Sequence, residues 1–280
     1  MRDERIENPS ARPVTVPALS LTTARPDAWA RLSRFTSARI ALGRAGGSWR
    51  TETLLSFRLA HARARDAVGK VFAVEALEAQ LREAGWETVR LATAASSSAV
   101  FLKRPDLGRR LAEDSQHWLT EHAGEWAERD LAVIVSDGLS ALAAERQVVP
   151  TLAALLPLLE GAGWRVGPIL VVPFARVKLQ DGVGAFLRVR HTLVLLGERP
   201  GLGSPDSLGA YLTYRPGPEK TDADRNCVSN IRTEGFPPRE AGVRLAQLLM
   251  ESAKQGCSGV ALKGLKPQAR RLAGACSTGC

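Results

Sequence analysis

Aromatic residues, cysteines and long apolar runs are all scarce in this chain. Aromatic residues make up 5% of the sequence and form no signature typical of an RNA-recognition module. Cys276 and Cys280 have no second pair of cysteines that would complete a zinc site. No apolar stretch reaches the length of a membrane span, and the first residues lack the apolar core of a secretory signal. We therefore expect a cytoplasmic protein with reduced thiols and no membrane partner.

Positive charge is concentrated at the two ends of the chain. Residues 1–70 carry a net charge of +7 and the last twenty residues carry +4, whereas residues 71–260 carry −2. Basic ends on a near-neutral body suit an acidic protein surface, an anionic ligand or RNA about equally. We expect a flexible N-terminal arm over residues 1–35, dispensable for chemistry, and a basic tail over residues 266–280.

The apolar pattern changes from helical spacing to alternating strands and helices. It predicts an α/β fold, with a Rossmann-like, mostly parallel sheet domain over residues 91–265. A small helical domain over residues 36–90 precedes it. Strands are predicted at 87–91, 100–102, 131–135, 169–172 and 192–196, and helices at 107–122, 151–161 and 241–254. A further, alanine-rich helix is predicted after the turn at residues 136–138.

A run rich in glycine and proline, over residues 197–232, follows the last predicted strand. Its length predicts an irregular but ordered connection, and such long loops usually have a function. Ligands of α/β folds bind at the ends of strands, so we expect a binding site here. The candidate side chains are Glu198, Arg199, Asp206, Asp224, Arg225, Asn226, Cys227 and Asn230.

Several familiar catalytic motifs are missing from the sequence. It has neither a phosphate-binding loop nor a dinucleotide-binding glycine motif, and the segment Gly138-Leu139-Ser140-Ala141-Leu142 lacks the last glycine of a nucleophile elbow. His117 and His122 are five residues apart, so they do not share a helix face as metal ligands would. Without a nucleophile–base pair or a metal site, this chain alone makes a poor candidate for a complete enzyme.

Five sequence blocks occur in a fixed order between residues 36 and 265. They are G-R-A-G from Gly43, H-A-R-A-R-D-A-V from His61, R-P-D-L-G-R-R-L from Arg104, S-D-G-L-S-A from Ser136, and the run over residues 197–232. Together these blocks resemble the small (light) chain of ethanolamine ammonia-lyase.

The resemblance implies an adenosylcobalamin-dependent enzyme built from two kinds of chain. The large chain would bind ethanolamine and perform the radical rearrangement to acetaldehyde and ammonia. The small chain would help to hold cobalamin at the interface, through Val177, Glu198 and Cys227, with no catalytic residue or metal ligand of its own. D-x-H-x-x-G, whose histidine coordinates cobalt in one group of cobalamin proteins, is absent. We expect no nucleic-acid partner, and the expected cytoplasmic location includes the interior of a bacterial microcompartment.

The residues themselves leave other interpretations open. Glu198 could form an ion pair with Arg199 or Arg232, and Cys227 could be a plain buried thiol. The chain could be a non-catalytic α/β module whose basic ends bind RNA or an acidic protein. It could also be a self-sufficient small-molecule transferase that uses the loop over residues 197–232.

Overall fold

The structure, a computed structural model, describes residues 27–36, 38–126 and 129–262. The chain divides into two compact units between Leu55 and Ser56. The predicted basic tail and most of the predicted N-terminal arm lie outside the described residues.

The first unit contains a short 3-10 helix and a small hairpin. The helix Ala28–Phe35 begins after Asp27, whose side chain accepts a hydrogen bond from the backbone N–H of Trp29 at 2.8 Å. In the hairpin, β1 (Arg44–Ala45) pairs antiparallel with β2 (Ser48–Trp49). The turn between these strands contains Gly46, whose φ of 62° lies in the left-handed region that favours glycine.

A six-stranded mixed sheet organises the second unit. Its strand order is β3-β5-β4-β6-β7-β8. The first four strands are parallel, while β7 runs antiparallel to β6 and β8 antiparallel to β7. This confirms the predicted α/β class, with a sheet that is mixed. The strands are β3 (Thr88–Arg90), β4 (Leu131–Ser136), β5 (Val166–Val171), β6 (His191–Gly197), β7 (Leu208–Tyr214) and β8 (Arg225–Ile231).

Seven α-helices lie in the described part of the chain, and five of them supply buried residues to the two faces of the sheet. α2, α5 and α7 pack on one face, which extends over all the strands from β4 to β8. α4 and α6 pack on the other face, over the parallel strands. The helices are α1 (Thr51–Gly69), α2 (Val74–Glu83), α3 (Ser98–Lys103), α4 (Glu113–Trp126), α5 (Ala141–Gly161), α6 (Leu179–Leu187) and α7 (Pro238–Gln255).

The run over residues 197–232 is more regular than predicted. Instead of one irregular connection it contains β7 and β8, joined to the sheet by loops over residues 198–207 and 215–224. Alternate residues of β7, namely Leu208, Ala210 and Leu212, are buried against α5 and α7. That burial favours strands, although glycine and polar residues interrupt the apolar pattern.

The segment predicted as a strand at residues 100–102 is helical. α3 begins after Ser97, whose hydroxyl accepts a hydrogen bond from the backbone N–H of Val100 at 3.3 Å. This cap outweighs the strand preference of a valine and a phenylalanine. The predicted helix over residues 107–122 is likewise divided into a 3-10 turn, Leu107–Arg109, and α4.

α5 joins two predicted helices, the alanine-rich one after Gly138 and the one over residues 151–161, into a single helix. Ser140 caps its start, and the helix continues through Pro150 and Pro157. Its length and composition would suit a membrane span, which corrects the expectation that no stretch is long enough. Half of that stretch is buried inside the structure, where α5 packs between the sheet and α7. Helices in the cores of proteins commonly have this length and apolar composition.

His191 is completely buried at the start of β6. Its ring lies 5.1 Å from the rings of Trp164 and Tyr214, and its Nε2 contacts the Ser252 hydroxyl at 3.1 Å. Burial, together with the positive charge of Arg190, lowers the pKa of His191 to about 4, so the ring is neutral at pH 7.

We predict that His191 makes folding sensitive to acid. The folded-state pKa lies below the unfolded value of about 6.5, so the unfolded state binds more protons between pH 6.5 and 4. The stabilisation is complete above pH 6.5 and is lost as the pH falls towards 4, by roughly 3 kcal/mol. Urea unfolding of the wild type and His191→Gln at several pH values should show a weaker loss in the variant. His117→Gln, on the exposed side of α4, is the control, and parallel profiles for wild type and His191→Gln would contradict the prediction.

Candidate functional site

The candidate residues meet at one edge of the sheet. β4, β5 and β6 are parallel, so their carboxyl ends lie together. The start of β7 and the end of β8 join this edge, because Gly197 pairs with Leu208 and Leu208 pairs with Ile231. The loops that leave this edge carry Val177 and Glu198.

Val177 is positioned by two side chains at the end of β4. Asp137 Oδ1 accepts a hydrogen bond from the backbone N–H of Phe174 at 2.7 Å, and Ser136 Oγ accepts one from Ala175 at 2.9 Å. Phe174 adopts a left-handed backbone with φ of 61°, which turns the chain towards α6. Burial raises the pKa of Asp137, while the hydrogen bond from Phe174 opposes that shift. Together these bonds fix the segment that contains Val177.

Glu198 is positioned by a close backbone contact. The carbonyl of Gly197 accepts a hydrogen bond from the backbone N–H of Leu139 at 2.8 Å. A Cβ atom at Gly197 would lie 2.1 Å from the Ser140 carbonyl oxygen and 2.5 Å from that of Asp137. Only glycine permits this approach, which holds the end of β6 against the turn after β4.

The Glu198 carboxylate accepts two hydrogen bonds at the edge of the sheet. Its Oε2 accepts from the Ser207 hydroxyl at 2.5 Å and from the backbone N–H of Asn230 at 3.2 Å. Its side chain lies over Gly209, where a Cβ would come within 3.0 Å of Oε1. In the described part of the chain, no arginine or lysine forms an ion pair with this carboxylate. The alternative of an ion pair with Arg199 or Arg232 is therefore wrong for Glu198; the guanidinium of Arg232 instead contacts Asp206 and Glu234.

Cys227 lies opposite Tyr211 in the pairing of β8 with β7. Cys227 is exposed, so the alternative of a plain buried thiol is wrong. Desolvation raises the pKa of Cys227 and the negative charge of Glu198 adds to this, whereas the nearby Tyr211 hydroxyl opposes it. Desolvation also raises the pKa of Tyr211, and the nearby Cys227 and Glu198 side chains add to this rise.

Half-buried Tyr211 and exposed Cys227 form a surface that we call the uncovered face, beside the point where Glu198 covers Gly209. It lies on the α4–α6 side of the sheet, where those helices bury residues of the parallel strands only. Val177 and Tyr211 both pack against the apolar cluster beneath α4 and α6. The structure thus brings Glu198 and Cys227 together around Tyr211, and it places Val177 on the same cluster.

A buried ion pair borders the uncovered face at the start of β8. Both nitrogens of the Arg225 fork lie 2.7 Å from the two carboxylate oxygens of Asp181 in α6. Side-chain exposure is 3% for Arg225 and 2% for Asp181. A bidentate pair of this geometry links the antiparallel strands to the helix that covers the parallel ones.

Comparison with known proteins decides the family. The family model described as ethanolamine ammonia-lyase light chain matches residues 26–263. The chain belongs to this light-chain family. It is therefore a lyase subunit, as the resemblance of its sequence blocks implied.

Relatives of the light-chain family cover most of this chain. The ethanolamine ammonia-lyase small subunit of Xanthomonas campestris pv. campestris ATCC 33913 is 49% identical, over 86% of this chain and 89% of that protein. The small subunit of Azotobacter vinelandii is 47% identical, over 88% and 92%. That of Pseudomonas syringae pv. tomato is 48% identical, over 84% and 82%.

Four other candidates from the sequence have structural partners in this light chain. Asp206 pairs with Arg146 and Arg232, and Arg225 pairs with Asp181. Asp224 accepts hydrogen bonds from Thr221, and Asn226 bonds to the backbone of Gly259 through both atoms of its amide. These residues shape the site and do not line the uncovered face.

Sequence reasoning missed Tyr211 and Arg176. Tyr211 is one of only two tyrosines in the chain, but its position opposite Cys227 depends on strand register. Arg176 precedes Val177, and its buried Nε has no hydrogen-bond partner in the described part of the chain. Its guanidinium lies 4.1 Å from the centre of the Phe101 ring. No group of three potential metal ligands occurs among the residues that the structure describes.

We predict that Gly197→Ala destabilises this light chain while Gly203→Ala does not. The new methyl group at residue 197 would overlap two carbonyl oxygens, and overpacking of this kind costs about 1–3 kcal/mol. Gly203 lies in the next loop with no atom within 4 Å of its Cβ position. Urea unfolding midpoints of both variants measure the difference. Equal midpoints would mean that the backbone contact can relax without cost.

Proposed function

We propose that this chain is the small subunit of an adenosylcobalamin-dependent ethanolamine ammonia-lyase. A large subunit would bind ethanolamine and convert it to acetaldehyde and ammonia by a radical mechanism. The small subunit would hold cobalamin at the interface through Val177, Glu198 and Cys227, on a Rossmann-like scaffold. The observation that carries this proposal is the clustering of Glu198 and Cys227 around Tyr211 on the uncovered face.

The residues of this face suit a large, flat ligand with an amide-bearing rim. Tyr211 and Cys227 pair across two strands, so a broad ligand could pack against both side chains. Glu198 is only partly buried, and its Oε1 has no hydrogen-bond partner in the described part of the chain. A free carboxylate oxygen at the edge of such a surface can accept hydrogen bonds from amide N–H groups.

The proposed division of labour follows from the chemistry of these side chains. Adenosylcobalamin supplies radical chemistry when it is bound. Glu198 would accept hydrogen bonds from the cofactor's amide groups and fix its orientation. Val177 and Cys227 would pack against it and exclude water. The raised pKa of Cys227 favours a neutral thiol, which suits packing better than nucleophilic attack.

We predict that Glu198→Gln weakens corrinoid binding and leaves the fold intact. Glutamine keeps an acceptor for Ser207 and Asn230 but removes the charge. Loss of a charged hydrogen bond costs roughly ten- to a hundred-fold in affinity. The measurement is corrinoid absorbance retained by the complex with a large subunit of this family after gel filtration. Glu240→Gln, at the start of α7 on the opposite face of the sheet, is the control.

Each competing interpretation has its own outcome in this experiment. Unchanged corrinoid affinity together with a sharp fall in the melting temperature of Glu198→Gln would make Glu198 a structural residue. A wild-type complex that retains no corrinoid would contradict the proposed function itself. Retention of RNA that is lost in high salt would favour the RNA-binding module. Acetaldehyde production by the isolated chain would favour a self-sufficient enzyme.

We predict that bound cobalamin protects Cys227 from alkylation. The thiol is exposed on the uncovered face, so a ligand on that face would block the reagent. Iodoacetamide labelling of the assembled complex, with and without cobalamin, would be measured by mass spectrometry of the cysteine peptides. Cys257, which lies beyond α7, is an internal control whose labelling should not change. If Cys227 reacts equally fast in both samples, it does not contact the cofactor.

A further inference from the structure

Three arginines surround the loop that carries Val177, at the same edge of the sheet. Arg176 precedes Val177, and its backbone N–H donates to the Gly108 carbonyl at 2.8 Å. This bond brings the turn that contains Arg109 against the loop. Arg199 follows Glu198 directly. Positive charge on Arg109 and Arg199 contributes, after burial, to a lowered pKa of Arg176, as expected when like charges lie close together.

None of these three guanidinium groups has an acidic partner in the described residues. No carboxylate lies within 4 Å of Arg109, Arg176 or Arg199. Two neighbouring arginines do have an acidic partner. Arg104 and Arg110 both contact Asp106, at 2.8 and 3.6 Å. These three arginines therefore form a local positive patch that no carboxylate of the described residues neutralises.

The Arg176 side chain is held in place by contacts that do not neutralise its positive charge. Its guanidinium stacks on the Phe101 ring, and one terminal nitrogen is 3.4 Å from the Phe101 carbonyl oxygen. A Cβ at Gly108 would come within 3.0 Å of the Arg176 Cγ, so the side chain is packed closely. Its Nε is buried, with no hydrogen-bond partner among the residues that the structure describes. A buried donor without an acceptor is costly, and a ligand that supplies the acceptor would remove the cost.

We propose that Arg109, Arg176 and Arg199 bind the phosphodiester of the cobalamin nucleotide arm. The inference rests on the proposed function and deepens it. Two of the arginines are direct sequence neighbours of the proposed contacts Val177 and Glu198. Cobalamin carries neutral amides around its ring, and its phosphodiester is the peripheral group that bears a negative charge. The planar guanidinium fork matches the oxygens of a phosphate better than a point charge does.

Two corrinoids that differ in the phosphodiester test this proposal. Cobinamide lacks the nucleotide arm and its phosphate but keeps the amide-bearing ring. The complex of this chain with a large subunit would be titrated with cyanocobalamin and with dicyanocobinamide, and binding would be followed by equilibrium dialysis and corrinoid absorbance. Arg176→Gln and Arg199→Gln should each weaken cobalamin binding about ten-fold or more. They should change cobinamide binding less than two-fold, and added salt should weaken cobalamin binding more than cobinamide binding.

Arg110→Gln is the matched control, because Arg110 is exposed, lies one residue from Arg109 and contacts Asp106. It should change the affinity for neither corrinoid. Arg199 is exposed, so Arg199→Gln should fold even where Arg176→Gln loses packing, and melting temperatures would separate the two effects.

The outcomes distinguish this proposal from the proposed function. Equal loss of both corrinoids in the arginine variants would overturn the phosphate assignment and leave the cofactor site in place. Loss of the large subunit during co-purification of the variants would also overturn it, because the arginines would then bind an acidic group of the partner protein. Failure of the wild-type complex to bind either corrinoid would contradict the proposed function, and the phosphate assignment with it.

Discussion

The backbone contact between Gly197 and the turn after β4 is the constraint on which the site depends. The end of β6 approaches the Ser140 carbonyl so closely that a Cβ atom would have no room. β6 therefore ends at a fixed point, and Glu198 emerges beside the loop that Ser136 and Asp137 hold. A shift of β6 would move Glu198 away from Ser207 and Asn230, whose hydrogen bonds orient its carboxylate.

The uncovered face follows from the change of strand direction after β6. Parallel neighbours need crossover connections, and the helices in those connections cover the sheet. β7 and β8 return antiparallel through loops, so no crossover helix comes with them. α7 covers their opposite face, while the Asp181–Arg225 pair seals the end nearest α6. The uncovered face is thus left on strands whose other side belongs to the core.

The sequence predicted the parallel part of the sheet better than the site. β4 and β6 are near-continuous apolar runs, which is typical of strands buried on both faces. β7 and β8 were missed because glycine, asparagine and arginine interrupt them, and their pairing involves distant residues. Family resemblance supplied Glu198 and Cys227 as candidates. Tyr211 could not be found in that way, since its contact with Cys227 follows from register, and Arg176 is notable only once its surroundings are known.

The raised pKa of Cys227 has a consequence for the chain before it meets any partner. Thiolates, rather than thiols, are attacked by mild oxidants and exchange with disulfides. An exposed cysteine would ordinarily be vulnerable to such damage. Desolvation beside Tyr211 and the charge of Glu198 both disfavour the thiolate. The same contacts that shape the surface therefore lower the fraction of reactive thiolate at Cys227.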